Sequence, residues 1–203
     1  MWEARDRTRH YLSSKVMCWV ALDRAVRLAP RLGADDRVEH WAAQRDAVRR
    51  HVLEGGWNSD VRAFTGAIGS DRLDASVLLM PLVGIIEGDD DRMRATLERV
   101  EERLASPRGV QRWADEGSGF VLCGFWLAEC LALAGERERA EERFAATAEA
   151  ANDLGLMAEE VTLDTGEPLG NMPQALSHVG LINAAWRLSK PSERNRSRMT
   201  HAR

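Results

Sequence analysis

The sequence is poor in the features that mark several functional classes. Its three cysteines, Cys18, Cys123 and Cys130, all sit in apolar stretches and lack the short paired spacings that hold zinc. They read as buried thiols, and no metal is expected. No apolar run reaches the ~18 residues that a spanning helix needs. The opening MWEARDRTRH is charged throughout and unlike a signal peptide, so the expected compartment is the cytoplasm, with no membrane partner. Charge of one sign is also missing: 28 Lys and Arg stand against 32 Asp and Glu, which gives no global positive field to gather nucleic acid. Gly117-Ser118-Gly119 follows no strand, so a nucleotide-phosphate cradle is disfavoured and no cofactor is expected. Finally, no stretch alternates β-branched and polar residues long enough to specify a strand.

What is present is helical periodicity punctuated by Gly and Pro. Ser14 to Ala29 is apolar nearly all round, with Asp23, Arg24 and Arg27 as its polar stripe, and reads as an inner helix buried on most sides. Asp36 to Leu53 keeps Val38, Trp41, Ala42, Val48 and Val52 on one face and reads as an outer helix. The alternation recurs in Leu73 to Ile86 followed by Asp89 to Leu104, whose apolar face is Met93, Leu97, Val100 and Leu104. It recurs again in Phe120 to Ala134 followed by Glu136 to Asp153, with Ala140, Phe144, Ala148 and Ala151 on the face. Gln174 to Leu188 begins a fourth round. About seven helices repeat as buried and amphipathic pairs about every 50 residues, the pattern of an all-α toroid or solenoid of helical hairpins. A ring closed by so few inner helices leaves apolar flanks exposed, so the chain reads as incomplete and self-association through those edges is expected. The stretch from Ser189, SKPSERNRSRMTHAR, has no apolar periodicity and reads as a disordered basic tail on a domain of residues 1–188.

Three loops at corresponding hairpin ends carry polar clusters: Trp2-Glu3-Ala4-Arg5, Gln111-Arg112-Trp113 and Ala158-Glu159-Glu160. In a toroid they share one rim. Glu3 and Glu159 have the chemistry for glycoside hydrolysis, in which one protonated carboxyl serves the leaving oxygen and one carboxylate activates water. Composition alone favours the plainer reading, because glutamates are abundant and most line solvated helix faces. Trp2 and Trp113 offer flat faces for a sugar ring, and Arg112 offers a rigid fork of donors. Trp19, Trp126 and Trp186 lie in apolar helices and read as core. His10 and His178 are candidates for binding a sugar or positioning a carboxylate, against the ordinary reading of a satisfied polar residue.

Four segments resemble the C-terminal half of glycoside hydrolase family 15, the glucoamylases, trehalases and related enzymes: WEARDRTRHYLSSKVMCWVALDRAVRLA, LDASVLLMPLVG, QRWADEGSGFVLCGFWLAECLALAG and ANDLGLMAEEVTLDTGEPLGNMPQALSHVGLINAA. They stand in the family's order from Trp2 to about Leu188. The resemblance implies the second half of an (α/α)6 toroid and an inverting attack on a terminal α-glucosidic bond of trehalose, maltose or a malto-oligosaccharide. Trehalose is favoured, again by resemblance. Glu3 matches the general acid and Glu159 the general base. Arg112 matches an arginine holding the innermost glucosyl unit, Trp113 stands where tyrosine is usual, and Trp2 and His178 join the substrate-binding set. In departure from the pattern, Val161 and Thr162 follow the base motif in place of an aromatic and an aspartate. Glu116 is displaced by about one position in a shortened loop, and Gly124 replaces a usual serine. The family's N-terminal β-sandwich and first hairpins precede the tryptophan-glutamate motif. Their absence here leaves a second expectation open, that the chain is an inactive fragment docking as a helical half-toroid onto a partner.

Overall fold

The computed structural model describes residues 8–114 and 116–190. Among them are seven α-helices: α1 (Leu12–Leu32), α2 (Val38–Gly55), α3 (Leu79–Val83), α4 (Asp91–Leu104), α5 (Val121–Leu133), α6 (Arg137–Ala148) and α7 (Ala175–Ser189). The expected all-α architecture of inner and outer hairpins is what forms. Helices α1, α3, α5 and α7 lie side by side in chain order, with α2 paired to α1 and α6 paired to α5. None of the described helices is long and apolar enough to cross a membrane.

Burial follows position in this row. In α5, ten of its thirteen residues are buried, which makes it the middle of the core. On α1 only Leu12, Val16, Trp19, Asp23 and Ala29 are buried, and on α7 only Ser177, Gly180, Ala184 and Leu188. Several large apolar side chains of these two helices face outward: Met17, Leu28 and Leu32 on α1, and Leu176, Val179, Ile182 and Trp186 on α7. Trp186, expected in the core, is 59% exposed. Cys18 is likewise exposed, whereas Cys123 and Cys130 are buried. Both corrections have one cause: among the described residues, the inner helices at the two ends of the row have a neighbouring inner helix on one side only.

The second inner element also differs from expectation. Leu73 to Ile86 is not one helix but a 3-10 turn, Ala75–Leu78, running into the five-residue α3. Asp74 starts it by accepting from the Ser76 N–H, and Gly84, in the left-handed region at φ 87°, stops it. That conformation is open to glycine and strained for most other residues. Helix α6 ends at Ala148, five residues earlier than its apolar face suggested, and α7 runs through Ser189 to Lys190, whose Nζ lies 3.3 Å from the Trp186 ring centroid. Of the tail expected from Ser189, residues 191–203 lie outside the described residues.

Five short strands join the helices. β1 (Trp57–Asn58) pairs antiparallel with β2 (Ala63–Phe64) in a small hairpin. β3 (Ser118–Phe120), β4 (Glu160–Thr162) and β5 (Pro168–Leu169) form an antiparallel sheet in that order. Helix ends are closed from a distance by arginines. Arg92 donates to the Leu53 carbonyl at 2.9 Å, Arg94 to Ala134 at 2.7 Å and Arg137 to Leu188 at 2.7 Å, so carbonyls that end α2, α5 and α7 are satisfied by outer helices.

Two acidic side chains are buried in the apolar inner helices. Asp23 is held by Arg24, by Arg27 at 2.9 Å and by Arg45 of α2 at 3.9 Å. Glu129 of α5 accepts from Arg187 Nε of α7 at 2.9 Å. Burial pushes the Glu129 pKa up, with Arg187 pulling the other way. A raised folded-state pKa means the native state holds this proton more tightly than the unfolded chain. Stability from this group is therefore fully present below about pH 4.3, the unfolded value, and is lost as pH rises through the raised one. Glu129→Gln keeps an oxygen for Arg187 without the buried charge. In urea melts at pH 7 it is expected to stay within about 1 kcal/mol of the parent and to flatten this part of the pH profile. Arg187→Ala strands the carboxylate and is expected to cost about 2 kcal/mol. Equal losses from the two variants would refute this account.

The family departure at Gly124 has a steric origin. A Cβ there would lie 2.6 Å from Thr147 Oγ1 and 2.7 Å from its Cγ2, so α5 and α6 meet at this point without room for a side chain. Gly124→Ser is expected to cost about 1–3 kcal/mol by overpacking. Adding Thr147→Ala should recover most of that in thermal melts; no recovery would mean that the contact is not the cause.

Candidate active site

The β3–β4–β5 sheet is the frame that ties together two of the expected site segments. Phe120 sits opposite Glu160, and the Val121 N–H donates to the Glu159 carbonyl at 3.1 Å. On the other edge of Phe120, its N–H donates to the Val110 carbonyl at 3.0 Å. The segment Val110 to Trp113 and the segment Met157 to Glu160 are thereby tied to the same strand, at the entrance to α5. This approach depends on glycine: a Cβ on Gly119 would lie 2.9 Å from Gly109 Cα and 2.9 Å from the Val110 nitrogen. Two of the three loops expected on one rim are in fact joined. The third, with Trp2 and Glu3, lies outside the described residues, as does Asp115.

Glu159 is half-buried, and its backbone is fixed on both sides, with its N–H donating to the Asn171 carbonyl at 2.9 Å. Its Oε2 accepts from Asn171 Nδ2 at 2.9 Å and from the Asn171 N–H at 3.3 Å. Gly170, at φ 72°, gives the carboxylate its space, since a Cβ there would lie 2.9 Å from Oε2. Glu160, next in sequence, is turned to the other side, where its Oε2 lies 2.5 Å from the Ser118 hydroxyl. Successive side chains of a strand point to opposite faces, which separates the two glutamates by role.

The first turn of α7 grips the strand just ahead of Glu159. The Gln174 N–H donates to the Met157 carbonyl at 2.8 Å and the Ser177 hydroxyl to the Ala158 carbonyl at 2.8 Å. His178 completes this grip: Nδ1 is 2.7 Å from the Gln174 carbonyl, and Nε2 accepts from the Met157 N–H at 3.4 Å. Both ring nitrogens are engaged by backbone, so His178, a candidate for binding a sugar or positioning a carboxylate, holds the strand ahead of Glu159. His10, the other candidate, is exposed, and its carbonyl accepts from the Ile68 N–H at 3.0 Å.

Arg112 is fully buried, an extreme position for a guanidinium. Its Nε donates to Asp74 Oδ1 at 3.3 Å, and its carbonyl accepts from the Ala75 N–H at 2.9 Å. The guanidinium carbon lies 4.3 Å from the Trp113 ring centroid, and that of Arg72 lies 5.1 Å from it. Trp113, expected to offer its face to a sugar, thus also stacks on arginine. Glu116 turns this loop by accepting from the Trp113 N–H at 3.2 Å. Burial raises the Glu116 pKa and the nearby Glu160 adds to the rise, while the Trp113 and Arg112 amides oppose it. A separate cleft of about 470 Å³, lined by Asp60, Asp71, Arg72, Arg99, Arg103 and Ala114 among others, includes neither Arg112 nor Glu159.

A buried arginine and a half-buried glutamate are thus joined through one small sheet between helical hairpins, and the sequence that builds this arrangement matches a known family. Its model, glycosyl hydrolases family 15, matches residues 1–138 and 131–186. The chain belongs to glycosyl hydrolase family 15. Among curated proteins, it is 36% identical over 200 residues to a trehalase of Thermoplasma volcanium, covering 94% of this chain and 32% of that protein. It is 39% identical over 202 residues to a trehalase of Mycobacterium tuberculosis, covering 95% and 30%. The chain thus spans about a third of the length of the curated relatives it matches. Among solved structures, a glycosidase variant in complex with glucose superposes with TM-score 0.80 at 21% identity, covering 93% of this chain and 54% of that one. A bacterial glucoamylase complexed with acarbose gives TM-score 0.73 at 15% identity, covering 88% and 33%. At these identities the structural likeness establishes the fold.

Sequence reasoning passed over Asp74, Asn171 and Ser118, each of which contacts a site residue. Asp74 was visible as a lone acid opening an otherwise apolar segment. Nothing in the pattern singled out Asn171 or Ser118, because their partners lie 12 and 42 residues away.

Proposed function

We propose that this family 15 chain carries the chemistry of an inverting exo-α-glucosidase of the trehalase or glucoamylase type, releasing β-glucose from an α-glucoside. Glu159 is the general base: its carboxylate takes a proton from the water that attacks the anomeric carbon. Glu3 is the general acid that protonates the departing glycosidic oxygen. Arg112, Trp2 and Trp113 bind the terminal glucosyl unit, and His178 acts through the strand that bears Glu159. Inversion needs room for water between the carboxyls, a separation of roughly 6.5–9.5 Å. The two proton transfers are carried by carboxyl groups, so the reaction draws on no cofactor. The observation that carries the reading is the joining of the Glu159 strand and the Arg112 loop through β3.

Trehalose is the preferred substrate, with maltose and malto-oligosaccharides next, because the relatives that match over most of this chain are trehalases. Cys18 is an exposed free thiol, which fits a reducing compartment such as the cytoplasm. The test is glucose release by the purified chain from trehalose and from maltotriose, with the product anomer followed by NMR. From maltotriose, initial release of β-glucose supports inversion and release of α-glucose would overturn it; from trehalose, whose leaving glucose keeps its α configuration, equal initial amounts of the two anomers support inversion and α-glucose alone would overturn it.

A second reading is favoured by the outward apolar faces of α1 and α7. In that reading the chain is a helical half-toroid that docks onto a partner, a second copy included, and is inactive alone. A helical chain that releases no glucose, and whose sedimentation mass rises with concentration, would favour it.

A further inference from the structure

We propose that Asp74 is the positioning residue that aims Arg112 at the glucosyl unit; this inference rests on the assignment of Arg112 as a sugar-binding residue. Asp74 is 1% exposed, and its Oδ1 does two things at once. It accepts from the Ser76 N–H at 2.8 Å, capping the 3-10 turn, and from Arg112 Nε at 3.3 Å. The neighbouring Ala75 N–H binds the Arg112 carbonyl at 2.9 Å, so both ends of Arg112 are referred to the same two residues. Gly66 is part of the arrangement, because a Cβ there would lie 2.8 Å from the Cβ of Asp74.

The geometry decides how the guanidinium is presented. A guanidinium is a rigid plane with donors on three edges. Capture at Nε by Asp74 fixes one edge, and the Trp113 ring, 4.3 Å from the guanidinium carbon, fixes the plane. Together Asp74 and Trp113 set the direction of the guanidinium before any sugar arrives. The carboxylate also supplies the countercharge that lets an arginine stay charged in a fully buried position. Cys123, the ionisable group nearby on α5, has its thiol pushed up by burial and adds no charge. A substrate hydroxyl thus meets a donor whose orientation was fixed during folding, where a solvent-exposed arginine would have to order itself on binding.

The test uses the full chain labelled with 15N. The Arg112 Nε–H signal is assigned by its disappearance in Arg112→Lys and followed during titration with D-glucose. The expected result is a slowly exchanging signal at neutral pH that shifts on saturation. In Asp74→Asn it exchanges fast, and the dissociation constant for glucose rises on the order of tenfold or more, with a cooperative thermal melt retained. Asp74→Ser, which keeps an oxygen for the turn cap, gives the same reading if the amide variant does not fold. Retention of the slow signal and of glucose affinity in the folded variant would overturn the proposal, as would a parent signal that ignores saturating glucose. The hydrolytic assignment fails separately: a glucose-responsive signal in a chain that releases no glucose leaves Asp74 in its role and removes the catalytic one.

Discussion

Glu159→Gln is expected to lower glucose release by about 10³-fold or more, within the range lost when a general base is removed, while KM changes little. The amide has nearly the shape of the carboxylate and can still accept from Asn171, which donates from both its side chain and its backbone to Oε2. The main-chain bonds that seat residue 159, from Val121 and to the Asn171 carbonyl, do not involve the side chain at all. Substrate binding and fold are therefore left in place, and what disappears is the ability to take a proton from water. Glu160→Gln is the matching control. Its carboxylate is engaged with the Ser118 hydroxyl on the other side of the strand, so its loss should cost less than about tenfold. Parallel assays on trehalose decide the matter: if the Glu160 variant were the dead one, or if both retained activity, the base would lie elsewhere.

Much of this site was legible as sequence, and the remainder shows where patterns stop. Long amphipathic elements such as α4 were read correctly because Met93, Leu97, Val100 and Leu104 all fall on its buried face. Strands of two and three residues have no room for a period, so β3, β4 and β5 were invisible. The Val110 bridge beside β3 is made where Gly109 and Gly119 let two backbones touch, a tertiary event. The Leu73 to Ile86 segment was read as one inner helix because it is almost wholly apolar, although Pro81 and Gly84 keep its helix short. Trp186 and Cys18 were misplaced for a different reason. Apolar character records what a helix face prefers to meet, and on α1 and α7 apolar side chains stay exposed among the described residues. Acidic residues inside apolar helices were the signal read least well. Asp23, Asp74 and Glu129 each proved to be buried against an arginine, two of them against partners more than 30 residues away.

The stability of the site depends on a small core beneath it, and Phe125→Ala is the substitution expected to reveal that dependence. Phe125 is completely buried in α5 and belongs with Val121, Met157, Val161 and Ala184 to a cluster distinct from the main core. Its ring is 5.7 Å from that of Phe144 on α6, and its Cβ would lie 3.2 Å from a Cβ on Gly180 of α7, so three helices converge on it. Met157 and Val161 bracket Glu159 in sequence, which makes this cluster the floor under the proposed base. Truncation to alanine removes a large apolar side chain from a region where glycine contacts leave little freedom to collapse, and is expected to cost about 3–5 kcal/mol. For a chain of this size that corresponds to a fall in Tm of roughly 10 °C. The loss should not be confined to melting. In hydrogen exchange, the amides of Glu159 and Val121, bonded across the β3–β4 junction, should lose protection before those of α2 and α4, whose contacts lie in the other core. Uniform loss across the chain would mean that the two clusters unfold as one unit, and that Glu159 is held by its own hydrogen bonds alone.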